Sequence, residues 1–266
     1  MEFAYFNAFL AGVFRDGTWG AFTVRDPVRH DHDRQCGYAY NHCCVNNVPR
    51  TFMDMAAGTV TVDPSGVYHV NFYQDATVTI DGVTFEISGN YPVGNVVTVK
   101  TSKPVPMKFR RPGWCPKMTT AVPAACVTEL TFDMAPRLVE RTVAAKPVDK
   151  KSWHYTRYLC HQQGWNDELR TNYRAEPGAT LMWGPLVLAK SARTGATRAE
   201  LLDKSTVNGQ GCRVELEPVP CAGVWGAWDV RILKDGVEKV HTRACDYQSA
   251  GDDPYGPGAV RFSVWF

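Results

Sequence analysis

The chain has 266 residues and a formal net charge of +2, since 29 Lys and Arg residues oppose 27 Asp and Glu residues. So small an excess excludes a general electrostatic attraction to nucleic acid or to an anionic membrane surface, and neither is expected as a partner. Hydrophobic residues make up 44% of the sequence, which excludes a disordered chain. No apolar run approaches the roughly 18 residues that a membrane helix needs.

The first predicted element is a short buried helix over Phe3–Phe14, a segment that is apolar on nearly all sides. Residues 25–42 follow with many charges and no period, which predicts an ordered loop. A helical period returns over Asn41–Ala57. We expect this second helix to begin at Pro49, because proline is favoured at the first position of a helix and disfavoured inside one.

From Thr59 onward the apolar residues recur with a period of two, which is typical of strands in an antiparallel sheet. Asp81-Gly82 separates two such runs, over 76–80 and 83–87, and predicts a tight hairpin turn. Further strands are predicted over 60–62, 67–72, 96–101, 105–110, 127–132 and 137–143.

Residues 144–178 interrupt this rhythm and predict a long connection. Its aromatic side chains either anchor it on the sheets or stack against sugars: Trp153, Tyr155, Tyr158, Trp165 and Tyr173. A second β region is predicted over 180–189, 212–216, 227–233, 237–243 and 259–266, with a hairpin turn at Lys234-Asp235-Gly236.

The pattern therefore predicts a mainly β fold: two antiparallel β-sandwich domains preceded by a short helical segment. The predicted domains are residues 1–58, 59–143 and 144–266.

Nine cysteines are irregularly spaced, and an odd number excludes complete internal pairing: Cys36, Cys43, Cys44, Cys115, Cys126, Cys160, Cys212, Cys221 and Cys245. They are expected to be reduced and mostly buried. The first residues show no secretory leader, so a cytoplasmic location is favoured. Clustered His30, Asp31, His32 and Asp33 are typical of a solvated charged loop, with metal binding as the alternative.

The adjacent pair Cys43-Cys44 holds most of the chemical information. A helix N-terminus stabilises a thiolate, and a zinc ion deprotonates a coordinating thiol. The alternative is two inert cysteines at the edge of a helical core.

The sequence resembles the C-terminal portion of glycoside hydrolase family 127, the β-L-arabinofuranosidase family. Cys43-Cys44, Asn47 and Arg50 resemble the Cys-Cys-Pro-Pro-Asn-x-x-Arg motif of the family, with Val45-Asn46 in place of Pro-Pro. The other resembling segments occur in the same order as in the family: residues 5–12 with Asp16-Gly17, Asn71-Phe72-Tyr73 with Tyr91-Pro92, residues 109–114, Gly184–Val187 and residues 262–266.

This resemblance implies a retaining glycosidase that uses zinc and a cysteine nucleophile. Cys43 matches the nucleophile and Cys44 a zinc ligand. Cys36 would complete a local set of three thiolates for the metal, with His42 as another donor. The resemblance also implies that residues 1–58 form the end of an (α/α)6 barrel.

The family's other zinc ligands, a Glu-x-Cys pair, and its acid/base glutamate lie upstream of the matching region. No Glu-x-Cys occurs in this sequence, and Glu129, Glu140 and Glu168 are acid candidates only by default. The chain is therefore expected to be inactive alone: it is either truncated or completed by an upstream catalytic barrel on another chain as its partner. Two functions remain open: a portion of a glycosidase that binds carbohydrate and zinc, or a non-catalytic β-sandwich module that binds carbohydrate or a protein. Exposure of the apolar segment Phe3–Phe14 would favour a homodimer.

Overall fold

The computed structural model of the chain describes residues 1–13, 21–26, 29–33, 42–140, 179–202, 211–251, 262–264 and 266. It begins with a helical segment in which a π-helix over Ala4–Phe9 continues as a 3-10 helix over Leu10–Gly12. This confirms the first predicted helix. Its burial is one-sided, however, since Phe6, Asn7 and Ala11 are buried while Phe3 is exposed.

A second helix, α1, extends over His42–Thr59. The prediction that it begins at Pro49 is wrong, because Pro49 lies inside the helix. The turn that contains this proline is supported by the Thr51 hydroxyl, which donates to the carbonyl of Asn47 at 2.9 Å. Two short helices occur later, α2 over Arg198–Leu202 and α3 over Tyr247–Ala250.

The charged segment between the first two helices contains a hairpin rather than the predicted loop. Strands β1 (Ala21–Asp26) and β2 (Arg29–Asp33) pair antiparallel, with Thr23 opposite Asp31. Backbone pairing does not require the apolar alternation by which strands were recognised, so charged residues concealed this hairpin.

Two sheets follow α1. A three-stranded sheet contains β3 (Val60–Val62), β4 (Tyr68–Val70) and β8 (Met107–Phe109), and its β4–β8 pair is parallel. A five-stranded antiparallel sheet contains β5 (Ala76–Ile80), β6 (Val83–Gly89), β7 (Val96–Thr101), β9 (Met118–Ala124) and β10 (Val127–Phe132). Their order in the sheet is β5-β6-β7-β10-β9.

The remaining strands form a seven-stranded sheet: β11 (Pro136–Glu140), β12 (Ala179–Trp183), β13 (Leu186–Ser191), β14 (Cys212–Pro218), β15 (Ala227–Lys234), β16 (Val237–Asp246) and β17 (Phe262–Ser263). Their order is β11-β12-β13-β16-β15-β14, and β17 also pairs with β13. Because β11 precedes residue 143 and pairs with β12, this sheet contains strands from both sides of the predicted boundary at 143/144.

One apolar cluster joins the five-stranded and seven-stranded sheets. Phe85 and Leu130 of the five-stranded sheet and Leu188 and Trp228 of the seven-stranded sheet belong to it, and each is almost fully buried. A mainly β fold of antiparallel sheets is thus confirmed, with a core continuous between the two large sheets. Within the described residues, no helix is long and apolar enough to cross a membrane.

Candidate active site

The candidate catalytic residues lie in the first turn of α1. Cys43 and Cys44 follow His42, the first residue of that helix. Backbone N–H groups at a helix N-terminus stabilise a nearby anion, so this backbone position is compatible with the predicted thiolates. The predicted third thiolate, Cys36, falls outside the described residues, as do Glu168 and all five aromatic residues of the 144–178 segment.

Two of the default acid candidates are described, and neither has the setting of a catalytic acid. Glu129 lies on β10 and Glu140 ends β11, and both side chains are exposed. A general acid with a raised pKa is instead commonly buried, where desolvation favours its protonated form.

The two cysteines at this helix start are of a type that binds zinc, but they are fewer than a zinc site needs. Two cysteine thiols are typical zinc ligands, but a structural zinc site has four ligands and a catalytic one has about three from the protein. Within the described part of the chain, no group of three or more His, Cys, Asp or Glu side chains is arranged to hold a metal ion. Two thiols alone are thus too few for a zinc site, and a third ligand such as Cys36 would be needed.

The C-terminal end of α1 is fixed to the three-stranded sheet and the loop after it. The Asn71 amide donates to the carbonyl of Gly58 at 3.1 Å, and its backbone N–H donates to the carbonyl of Thr59 at 2.9 Å. Gln74 donates to the Thr59 hydroxyl at 3.1 Å. The two bonds from Asn71 satisfy carbonyl groups that a helix end otherwise leaves without partners.

Arg110 connects this helix end to the N-terminal helical segment. Its Nε donates to the carbonyl of Asn71 at 2.5 Å, and its Nη2 lies 2.7 Å from Glu2 Oε1. The latter contact is an ion pair without hydrogen-bond alignment, since this Nη2 has no hydrogen-bond partner. One guanidinium therefore contacts groups that position both helices.

Glu2 is a charged residue inside the apolar core, with 6% of its surface exposed. Besides the Arg110 contact, its carboxylate accepts from the Tyr91 hydroxyl at 2.9 Å and from the Trp114 indole at 3.3 Å. Burial, with the Glu2 charge and hydrogen bond beside it, raises the pKa of Tyr91 far above its usual value, so the phenol stays protonated and donates to Glu2.

Asn7 attaches the same helical segment to the seven-stranded sheet. Its amide nitrogen donates to the carbonyls of Phe3 and Pro185, each at 2.8 Å, and its amide oxygen accepts from the N–H of Val187 at 2.7 Å. The start of the chain is thus anchored twice: Glu2 contacts residues in the connections next to the five-stranded sheet, and Asn7 binds the seven-stranded sheet.

Aromatic rings join the two helices to each other. Tyr5 stacks on Phe9 with ring centroids 5.4 Å apart, and Phe9 meets Phe52 of α1 edge-on at 5.0 Å. Together with the polar anchors, these contacts tie the helix that carries Cys43 and Cys44 to the β framework.

The residues that position the two helices were not predicted as a group from the sequence. Asn7, Asn71 and Arg110 lie in the segments that carry the family resemblance, so the motifs contained them without assigning a role. Glu2 had no distinguishing pattern, because a lone acidic residue at a chain start is usually solvated.

No known protein family and no curated protein matches this chain by sequence. Several solved structures match this chain at low identity, and three of them are described below. A glycoside hydrolase superposes with a TM-score of 0.62 at 18% identity, over 99% of this chain and 47% of its own. A family 127 β-L-arabinofuranosidase from Geobacillus stearothermophilus T6 superposes with a TM-score of 0.55 at 16% identity, over 100% and 45%.

A further family 127 β-arabinofuranosidase matches with a TM-score of 0.57 at 17% identity, covering 99% of this chain and 44% of its own. The chain thus spans somewhat less than half the length of these structures, as expected for a C-terminal portion. Its fold is similar to that of the matched part of these glycoside hydrolase structures.

Proposed function

We propose that the chain is part of a retaining glycoside hydrolase that uses a zinc-bound thiolate and acts on terminal β-L-arabinofuranosides or a similar sugar. The fold match over 99–100% of the chain to three glycoside hydrolase structures supports the proposal. Two of these neighbours are named as arabinofuranosidases, which supports the sugar class.

In this proposal Cys43 is the nucleophile, and Cys44 and Cys36 supply thiolates to the metal together with Cys43. Zinc, when bound, keeps a coordinating thiol ionised near neutral pH. The Cys43 sulfur attacks the anomeric carbon as the glycosidic oxygen leaves, and water then displaces the sulfur, so the sugar keeps its configuration. The leaving oxygen needs a proton from an acid within hydrogen-bond reach.

Zinc content is the decisive first measurement, on freshly reduced protein and on the Cys43→Ser/Cys44→Ser variant. We expect about one zinc per chain in the parent and none in the variant. Cys126→Ser/Cys221→Ser is the matched control, since both residues are free cysteines of intermediate exposure outside the helices, and it should keep the metal. Absence of zinc from every form would favour a non-catalytic carbohydrate-binding or interaction module.

Hydrolysis of methyl β-L-arabinofuranoside then tests the need for an acid outside this chain, because methoxide, unlike 4-nitrophenolate, is too basic to leave without a proton. We expect no release of arabinose by the chain alone, because its described acid candidates, Glu129 and Glu140, are exposed on strands. Turnover that is lost in Cys43→Ser would show instead that the chain holds a complete site.

A further inference from the structure

A cavity of about 490 Å³ lies between the N-terminal helical segment and the β11 edge of the seven-stranded sheet. This volume is in the range of small-molecule sites. Its walls are mainly apolar and include Phe3 and Ala8 from the helical segment, Val139 from β11 and Met182 from β12. Nothing in the proposed glycosidase chemistry uses this cavity.

Arg137 is the cationic side chain among the described residues that line the cavity. Its Nη2 donates to the carbonyl of Gly184 at 2.9 Å, whereas its Nε is buried and has no hydrogen-bond partner. Loss of hydration lowers the pKa of this guanidinium below its usual value. Among the described residues, no carboxylate lies within ion-pair distance of it.

An incompletely hydrated cation at an apolar wall is unfavourable unless an anion accompanies it. Two other polar side chains line the wall. The amide of Asn7 is engaged by backbone groups, and burial raises the pKa of the Tyr247 phenol, so neither side chain carries a charge. The guanidinium therefore determines the charge that a bound molecule should carry. The side chains of Phe3, Val139 and Met182 favour an apolar group in the rest of that molecule.

We propose that this cavity binds a small carboxylic acid with an apolar aryl or alkyl body, its carboxylate against the guanidinium of Arg137. A carboxylate matches the planar donor arrangement of arginine and forms hydrogen bonds that are stronger than those between neutral groups. The rings and aliphatic side chains bury the rest of the ligand.

The test uses the full chain with 3-phenylpropanoate and its neutral counterpart 3-phenylpropanamide, followed by ligand-observed NMR titration. We expect the acid to bind about tenfold or more tightly than the amide, a ratio typical of one charge-assisted contact. In Arg137→Gln this preference should vanish, and the two ligands should bind equally weakly. Arg213→Gln is the matched control, since Arg213 is an exposed strand arginine paired with Glu215 at 2.8 Å, and it should bind like the parent.

A second variant tests the location without touching the charge. Ala8 is an exposed helical residue at the cavity wall, so Ala8→Phe should fill the space, retain the circular dichroism spectrum and abolish binding of both ligands. Equal affinity of the parent for acid and amide would overturn the proposal, as would undiminished acid binding in Arg137→Gln. Absence of acid binding by the parent would also overturn it.

Discussion

The sheets and helix α1 are held in place by different forces. Strand β6 buries every second side chain at its start, with Val83, Phe85 and Ile87 all at 2% exposure or less. Over residues 47–59 of α1, by contrast, only Met55 and Thr59 are buried, and Met53 is 71% exposed. The sheets are therefore stabilised by apolar burial, whereas α1 depends on a few polar anchors and ring contacts.

The largest expected effect on stability comes from a substitution in the apolar core of the sheets. Phe85→Ala should lower the free energy of unfolding by about 3–5 kcal/mol, because it leaves a cavity in the core. Phe52→Ala removes a ring that is 39% exposed and should cost less than about half as much. Urea unfolding of the two variants measures the difference. Equal losses would mean that α1 belongs to the same cooperative core as the sheets.

A smaller effect tests the polar anchors. Glu2→Ala leaves the Tyr91 hydroxyl and the Trp114 indole without their acceptor and the Arg110 guanidinium without its ion-pair partner, at a cost of about 1–3 kcal/mol. Hydrogen exchange should accelerate over Ala4–Gly12 while β6 keeps its protection.

Glu2→Gln separates the charge from the shape of this anchor. It keeps an acceptor oxygen of nearly the same size and should lose less stability than Glu2→Ala. If exchange over Ala4–Gly12 stayed slow in Glu2→Ala, the helical segment would be held by its aromatic contacts instead.

The smallest expected effect is a pH dependence of stability, and it involves two aspartates whose pKa values are shifted in opposite directions. Hydrogen bonds from Ser65 and His69 hold the pKa of Asp63 well below its usual range, whereas burial raises the pKa of Asp246. The stability that Asp63 adds is present above its unfolded pKa of about 3.9 and is lost as the pH falls below it. The charged form of Asp246 is disfavoured by folding, so this residue adds stability as the pH falls through its raised pKa.

Thermal melts between pH 6 and about pH 3 compare Asp63→Asn and Asp246→Asn with the parent. Toward acid pH, the parent should lose stability relative to Asp63→Asn. It should gain stability relative to Asp246→Asn. Parallel trends for both variants would contradict these environments.

The strands were predictable wherever side-chain alternation and turn chemistry agreed. Asp81-Gly82 and Asp235-Gly236 have positive φ at both residues, as the predicted hairpin turns require, and their flanking strands were found in sequence. Strand β9 was missed, because nearly all of its side chains are exposed and it shows no apolar alternation.

The candidate site was less predictable, since it depends on contacts between residues far apart in sequence. Cys43 and Cys44 were identified from local sequence, and the helix that carries them was predicted apart from its start. The Glu2–Trp114 and Asn7–Pro185 hydrogen bonds join residues 112 and 178 positions apart, and no periodicity encodes such pairs.

The pairing of β11 with β12 has a consequence for how this chain tolerates change. Glu140 lies opposite Ala179, so the strand ends that enclose residues 141–178 are already neighbours within the sheet. The entropy of closing a chain between two fixed points grows only with the logarithm of its length, about 0.6 kcal/mol for each doubling. The sheet register is therefore nearly indifferent to how many residues join these strands, which makes this junction a place where related chains can gain or lose whole segments at little cost in stability.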